Sequence, residues 1–419
     1  MSVPLDRLYN FLNDICNRAV IIYRWMPHGS KKLSDLTALH DLVPGLWRER
    51  SLPSLICHDQ EPLFYDLYTD SDIRDRILEM ASDNSNDPGS QSWVLSQIDF
   101  LSKLHLRGLI YFEKFSMYDK ILILHSEKRS EELKKYEAND YIGVYYWSHA
   151  MIAADWFRYA QHDPKLIVDF NKIKKDFLIY NRAWIGSREY RLTFMHQLVE
   201  QDLPSTCLTS FAETDTGHMY LDHKFKNPDL SVDLQGLSQH FPPNQHGSSA
   251  SADYNNKDYS CTAIEVILET LFDDSRLHLT EKTLRPIACG RPFILVATYG
   301  SLQYLREYGF RTFDGLIDET YDTITNPKKR LQAVIQEMSR IAALDAQEKL
   351  NLWNKLYEIA EFNKRLFFSQ QWQQSIHQEF LTNFARSLGV LDQYKNKVIQ
   401  HQMDKLWNDD PSSKIYYVT

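Results

Sequence analysis

The chain is poor in cysteine and lacks the spacings that disulfide frameworks and zinc sites use. Only five cysteines occur among 419 residues, and none forms a CxxC pair. An odd number without paired spacing is typical of reduced thiols in a cytoplasm. No apolar run approaches the ~18–20 residues of a membrane span, and the first residues lack the layout of a signal peptide. We therefore expect a soluble, cytoplasmic protein.

An excess of positive charge is also missing. Lys and Arg number 47 against 56 Asp and Glu, a net charge of −9, which disfavours coating nucleic acid by charge alone. The motifs GxxxxGK[ST], GxGxxG and HExxH are absent, so P-loop, dinucleotide-binding and zincin functions lack support. The pair Asp70-Ser-Asp72 falls at an apparent helix start rather than at a strand edge. We therefore predict no catalytic metal and no cofactor.

Short β-branched and aromatic runs alternate with helical stretches, which is typical of parallel α/β layers. Strands are predicted at Ala19–Arg24, Ser54–His58, Lys120–His125, Ile142–Trp147, Phe177–Tyr180, Thr206–Ser210, Ala263–Leu268 and Phe293–Ala297. Helices are predicted at Ser92–Leu106, Glu127–Tyr136, Ala150–Ala160, Arg188–Glu200, Glu281–Ala288 and Ser301–Tyr308. Residues 226–257, rich in Pro, Asn, Gln, His and Ser, predict a mobile loop, and 330–405 is almost continuously helical.

The length suits two domains rather than one core. We predict a Rossmann-like acceptor domain at 1–165 and a Rossmann-like nucleotide-sugar domain at 166–335. A helical tail at 336–419 is expected to pack back on the first domain. Two such domains facing each other across a cleft form the architecture called GT-B.

The strongest constellation runs from His278 to Ile294 (HLTEKTLRPIACGRPFI). Thr280 is a plausible N-cap, Glu281 falls in the first turn, and Gly290 ends the helix before a buried strand. Free backbone N–H groups at this helix start, together with the Lys282 ammonium, could hold a pyrophosphate. Taken alone, the TEK tripeptide favours a capped surface helix with solvated charges, and its placement before an apolar strand of a second α/β unit reverses that preference. The donor-binding candidates here are Thr280, Glu281, Lys282 and Arg285.

A basic island lies between Lys172 and Arg191, where six Lys or Arg face two acids, a local charge of +4. The predicted strand ends near Asn181, which places Asn181 and Arg182 at the carboxyl edge of a sheet, where α/β proteins bind ligands. Arg188 opens the next helix. An arginine there could stabilise a leaving diphosphate in place of a metal ion. The alternative for Arg188 and Arg191 is a solvated helix face.

A third constellation, Cys57 to Leu63 (CHDQEPL), follows the second predicted strand. An inverting transferase needs a carboxylate or a histidine to deprotonate the acceptor hydroxyl. Asp59 and Glu61 are the candidate catalytic bases, with His58 third. A capping turn that uses Asp59 explains the same residues equally well.

Two weaker segments complete the set. Tyr145–Ala150 could supply aromatic rings and His149 to a cleft wall, although a buried aromatic cluster explains it as well. Gly309–Asp322 could close over a sugar, with a surface connection as the alternative.

The stretch LTEKTLRPIACGRPFIL resembles the donor-binding segment of α1,3-fucosyltransferases and exostosin-like proteins. This resemblance implies that Glu281 binds ribose, that Lys282 lies near the donor phosphates, and that Arg182 takes the place of a family arginine. The segments YNRAW, TEKTLRPIACGRPFI and GFRTFDGLIDETYD are also similar to phage-encoded glycosyltransferase-like proteins. That second similarity implies DNA modification in a host cytoplasm.

The combined prediction is a metal-independent hexosyl- or pentosyltransferase that uses a UDP- or GDP-linked sugar. The acceptor is either 5-hydroxymethylcytosine in phage duplex DNA, which would need flipping out of the helix, or a glycan. A non-catalytic binding protein of the same fold and a sugar-nucleotide epimerase stay open as alternatives.

Overall fold

A computed structural model provides the structure of the chain. It describes residues 20–23, 54–57, 121–130, 134, 142–181, 183–184, 186–211, 214–215, 218–219, 225, 227–230, 237–241, 253–273 and 276–392. The predicted helix at Ser92–Leu106 lies outside these residues, as do half of the helix predicted at Glu127–Tyr136 and most of the loop predicted at 226–257. Residues 127–130 are not helical, so the predicted start of that second helix is wrong.

The first sheet contains four parallel strands in chain order. They are β1 (Val20–Tyr23), β2 (Ser54–Cys57), β3 (Ile121–His125) and β4 (Ile142–Tyr145). Each strand pairs in parallel with the next one along the chain. All four agree with the predicted strands to within a few residues, so the α/β prediction is confirmed for this part of the chain.

The second sheet also has four parallel strands, but their order differs from chain order. The strands β5 (Lys175–Asn181), β6 (Cys207–Phe211), β9 (Thr262–Leu268) and β10 (Phe293–Val296) are arranged as β10-β9-β5-β6. A two-stranded antiparallel pair, β7 (Thr214–Asp215) and β8 (His218–Met219), lies between them in sequence. The chain thus adds β6 on one side of β5, and later adds β9 and then β10 on the other side.

Eight α-helices are described. They are α1 (Ser148–Trp156), α2 (Tyr190–Glu200), α3 (Asn256–Ser260), α4 (Glu281–Ala288), α5 (Ser301–Glu307), α6 (Pro327–Ala342), α7 (Ala346–Phe367) and α8 (Gln370–Asp392). Helix α4 matches its predicted bounds, whereas α1 ends four residues before the predicted Ala160. No helix in the described ranges combines the length and apolar character that crossing a bilayer requires.

The chain divides into two compact units. One contains residues 1–148 and 374–419, and the other contains 149–373. Within the second unit, α7 lies against α4, and the Tyr357 hydroxyl donates to the Ala263 carbonyl oxygen at 3.0 Å. Within the first, Asn383 donates to the Tyr145 carbonyl oxygen at 3.0 Å. The stretch predicted as one tail at 336–419 is therefore shared, because α7 covers the second sheet and residues from 374 belong with the first unit.

Strand β9 forms the centre of the core of the second unit. All seven of its residues are buried, in agreement with a sheet covered on both faces. Its single charged residue, Glu265, pairs with Arg285 at 2.5 Å and accepts a short hydrogen bond from Tyr259. A buried charge is tolerated when it is paired and hydrogen-bonded, so this pair fixes α4 on the sheet.

Helix α4 begins and ends at the predicted residues. The Thr280 side chain caps its first turn by accepting from the Lys282 backbone N–H. At the other end, Arg291 N donates to Pro286 O at 2.8 Å and Gly290 N to Ile287 O at 3.1 Å. This pair of bonds is the Schellman motif, which requires a left-handed residue, and Gly290 has φ +64°.

Substitution of Gly290 tests this helix end. A Cβ there would lie 2.7 Å from Glu361 Oε1, the end of an exposed side chain that can move aside. We therefore expect the left-handed backbone to set the cost, with Gly290→Ala lowering the free energy of unfolding by about 1 kcal/mol. Gly290→Asn should cost less, because Asn tolerates this conformation. Urea unfolding measures both.

Gly315→Ala is the matched control, since Gly315 has φ +79° and open space around its Cβ position. A loss for Gly290→Ala several times larger than for Gly315→Ala would contradict the expectation and assign the cost to the contact with α7.

Two buried histidines of the first unit resist protonation. Burial lowers the pKa of His125 to about 4, against the opposing effect of its contact with the Glu127 carbonyl. Burial likewise lowers the pKa of His377 to about 4. Between pH 4 and 6.5 the unfolded chain therefore binds more protons than the folded chain at these residues.

Stability should consequently be highest above pH 6.5 and fall as the pH drops towards 4. Each histidine contributes a slope of up to about 1.4 kcal/mol per pH unit. Thermal unfolding between pH 7 and 5 measures it, and His377→Gln should flatten the dependence. An unchanged slope in that variant would show that His377 does not titrate in this window.

Candidate functional site

The strand order of the second sheet locates a crevice. The connections from β5 and from β9 leave the sheet in opposite directions, because β5 continues to β6 on one side and β9 to β10 on the other. Ligands of open α/β sheets bind at such a reversal, outside the carboxyl ends of the strands. We call the ends of β5 and β9, with the loops that follow them, the carboxyl edge. Both predicted donor-binding segments begin there.

Glu269, directly after β9, connects the strand to the start of α4. Its carboxylate accepts from Thr280 N and Thr280 Oγ1, both at 2.8 Å, and from Thr283 Oγ1 at 2.7 Å. The Thr270 backbone N–H donates to it as well, at 2.9 Å. The residue is fully buried, so these donors replace the water that the carboxylate loses. The N-terminus of α4 is thereby held at the carboxyl edge.

Lys282 and Glu281 form a pair above this carboxylate. The Lys282 ammonium lies 2.8 Å from Glu281 Oε1 and 3.3 Å from the hydroxyl oxygens of Thr270 and Thr280. The Lys282 side chain stays 17% exposed, whereas Glu281 is 1% exposed. The cation at this helix start can therefore meet a ligand more readily than its acidic partner can.

The buried Glu281 carboxylate has a second neighbour. His149 Nε2, on α1, lies 3.2 Å from Glu281 Oε2, and the ring of His149 packs edge-on against His278 at a centroid distance of 5.2 Å. The sequence suggested His149 for a cleft wall; the structure places it in the protein interior beside the predicted donor segment. Glu281 thus bridges a histidine and a lysine.

Both carboxylates are held in their charged forms. Burial alone would raise the pKa of Glu281, but the Lys282 ammonium and the contact with His149 outweigh it and hold the pKa well below its usual value. Burial also opposes ionisation of Glu269, whose pKa is lowered by Lys282 and by the bonds from Thr283 and Thr280. The site is therefore a compact set of fixed charges at neutral pH.

Asn181, the last residue of β5, occupies the other side of the strand-order reversal. It is fully buried and pairs in register with Phe211 of β6. Neither its Oδ1 nor its Nδ2 has a hydrogen-bond partner in the described part of the chain. Buried polar groups are rarely left in this state, so this amide is a candidate for ligand contact.

Arg191 does not lie on a solvated helix face, which was the alternative expected from the sequence. It is 2% exposed, and its guanidinium donates to Ala183 O at 2.5 Å, Leu268 O at 2.7 Å and Glu269 O at 3.1 Å. At least one positive charge of the basic island is therefore buried in the protein interior. This guanidinium joins the loop after β5 to the loop after β9.

Arg330 of α6 braces the neighbouring loops in the same manner. Its guanidinium donates to the carbonyl oxygens of Phe272, Ala297 at 3.0 Å and Ile324 at 2.6 Å. It is 2% exposed. The connections after β9 and β10 are thus tied to each other by a single buried side chain.

Arg285, predicted among the donor-binding residues, is engaged in the core instead. Its guanidinium pairs with Glu265 and lies over the Tyr180 ring at 4.7 Å. Arg188 is half-buried in the turn before α2 and is not a free cation there. Of the predicted donor-binding set, the structure brings Thr280, Glu281 and Lys282 together at one helix start.

Four predicted residues lie outside the described part of the chain. They are His58, Asp59 and Glu61, which follow the end of β2, and Arg182, which follows Asn181.

The segment Gly309–Asp322 proves to be a packed connection rather than a lid. Phe313 and Tyr321 are buried, and the Asp322 carboxylate accepts from the Leu302 backbone N–H at 3.0 Å at the start of α5. The surface connection expected as its alternative is also only partly right, because its aromatic residues belong to the core.

Within the described ranges, no group of three or more His, Cys, Asp and Glu is arranged to hold a metal ion. No family model, curated protein or solved structure matches the chain.

Sequence reasoning missed Glu269, the residue that organises the site. An acid at the end of a buried strand that already contains Glu265 carries little local signal. Its position directly after the predicted strand Ala263–Leu268 becomes informative only when the fold brings Thr280 and Thr283 of α4 back to the strand end.

Replacement of this carboxylate provides a test. Glu269→Gln retains the shape of the side chain, but its NH2 group would face the N–H and O–H donors of Thr270, Thr280 and Thr283. We therefore expect a loss of about 2–4 kcal/mol in the free energy of unfolding. Urea unfolding checks the loss, with Glu358→Gln on the exposed side of α7 as the matched control. Equal stabilities for the two variants would show that the Glu269 bonds contribute nothing net.

Proposed function

We propose that the chain is a metal-independent glycosyltransferase of the GT-B class, whose second unit binds the nucleotide-sugar donor. The observation that carries the proposal is the N-terminus of α4, with Lys282, at the strand-order reversal of a parallel sheet. This is the place where such sheets take phosphorylated ligands. The resemblance of the same segment to fucosyltransferases and exostosin-like proteins supports the assignment.

The donor diphosphate would lie at the start of α4. Its charge would draw the Lys282 ammonium away from the two threonine hydroxyls, whose 3.3 Å contacts are long for a charged donor. Backbone N–H groups of the first helical turn add their partial positive charge. As the glycosidic bond to the donor breaks, negative charge builds on the leaving diphosphate, and a fixed cation stabilises it.

The resemblance implies that Glu281 contacts the ribose. We propose instead that Glu281 contacts Lys282 and does not bind the donor. One of its oxygens faces Lys282 and the other faces His149, and the carboxylate is buried. Turning it towards a ribose would leave the buried His149 without this neighbour. We therefore assign Glu281 the role of positioning Lys282.

The acceptor would be handled by the first unit. Asp59, Glu61 and His58 follow the carboxyl end of β2 in sequence, which retains them as the proposed bases for the acceptor hydroxyl. The acceptor is 5-hydroxymethylcytosine in duplex DNA or a glycan hydroxyl. A gel-shift comparison of modified and plain duplexes separates the two.

A binding protein with a transferase fold and no turnover is the second candidate. The observation that favours it is the internal engagement of Glu281 and Arg285, which leaves Lys282 as the main cation at this helix start. Release of diphosphate from a nucleotide sugar distinguishes an enzyme from such a binding protein. An epimerase would convert the donor with no acceptor present.

Removal of the Lys282 ammonium tests the proposed site. Lys282→Ala should weaken UDP or GDP binding about tenfold or more, because a charge-assisted contact contributes about 1.5–3 kcal/mol. Isothermal titration calorimetry measures the affinity, and a panel of UDP- and GDP-sugars measures diphosphate release. The control is Lys355→Ala on the exposed side of α7. Unchanged affinity in the Lys282 variant would reject this placement of the diphosphate.

A further inference from the structure

The buried amide of Asn181 poses an energetic problem for the protein alone. Both of its polar atoms are shielded from solvent and unpaired in the described part of the chain. Leaving such groups unpaired costs free energy, whereas an apolar residue of similar shape would carry no such cost. Groups that a fold leaves in this condition are commonly explained by function.

The position of Asn181 separates it from the phosphate end of the proposed site. Tyr180 faces α4, because its ring lies under Arg285. Side chains of a strand alternate between the two faces of a sheet, so Asn181 belongs to the face opposite α4. The Arg191 guanidinium joins the loop after Asn181 to the end of β9, which fixes the two sides of the reversal together.

A diphosphate could satisfy only half of this amide, because it offers acceptors to Nδ2 and no donor to Oδ1. Nδ2 offers two donors, but Oδ1 accepts only, and a phosphate oxygen facing Oδ1 would be repelled. The matching ligand presents a donor and an acceptor side by side. A nucleobase edge and a pair of ribose hydroxyls share this property.

We propose that Asn181 recognises the neutral nucleoside part of the donor, through an adjacent donor and acceptor, while Lys282 and the start of α4 hold the diphosphate. The inference rests on the proposed function. It makes Asn181 a specificity residue whose unpaired amide is tolerated for the sake of binding. Removing the amide should then affect stability and affinity in opposite directions.

Asn181→Leu tests this combination. The ligand-free variant should melt about 2–4 °C above the wild type, because an unpaired buried amide is replaced by an apolar side chain. Its affinity for UDP or GDP, by calorimetry, should fall about tenfold or more, while its affinity for inorganic pyrophosphate stays unchanged. Asn181→Ala, which removes the amide without adding an apolar side chain of similar size, should show the same split between the two ligands.

Thr209→Val is the matched control. The Thr209 hydroxyl is also buried and unpaired in the described part of the chain, but it lies opposite Ile179, in the middle of β6 rather than at the carboxyl edge. This variant should keep or raise the melting temperature and bind both ligands as the wild type does. Diphosphates of 2′,3′-dideoxynucleosides identify the source: retained affinity assigns the contact to the base, and lost affinity assigns it to the ribose hydroxyls.

The outcomes separate the two proposals. A lower melting temperature for Asn181→Leu, or unchanged nucleoside diphosphate affinity in both Asn181 variants, overturns the inference and leaves the donor site standing. Failure of the wild type to bind either pyrophosphate or nucleoside diphosphates overturns the proposed function, and the inference with it.

Discussion

The hydrogen bonds of the Glu269 carboxylate are the interaction on which the site depends. A carboxylate taken out of water is costly unless its oxygens find donors, and this one finds four between Thr270, Thr280 and Thr283. Two of these donors belong to the N-cap residue of α4. The need to satisfy one buried charge therefore fixes where the helix starts relative to the end of β9.

The other charges of the site follow from that placement. Lys282, in the first turn of α4, lowers the pKa of Glu269, and the buried Glu281 pairs with Lys282. Acids and a base in one small volume stabilise each other only while all are present, so the set behaves as a network rather than as separate pairs. A ligand anion would enter this network through Lys282, its most exposed member.

Much of the fold could be predicted from the sequence, because local patterns decide it. Helix α4 carries its own start and stop in Thr280 and Gly290, and the β-branched run before Glu269 marks a buried strand. The strand order could not be predicted, since it depends on which edge each strand joins. The surroundings of individual side chains could not be predicted either, as Arg191 shows. An arginine at a helix start is expected to be solvated, but the fold brings the end of β9 beside it, and the carbonyl oxygens of Leu268 and Glu269 accept its hydrogen bonds.

The buried arginines Arg191 and Arg330 affect how much order the loops at the strand ends have before a ligand binds. Arg191 and Arg330 each collect carbonyl oxygens from separate loops, so the backbone around the strand ends is cross-braced before anything binds. A ligand bound at these strand ends would lose little affinity to the entropy of ordering the loops. If these strand ends bind a ligand, side chains that do not contact it, Arg191 and Arg330, would set the shape of the backbone that does.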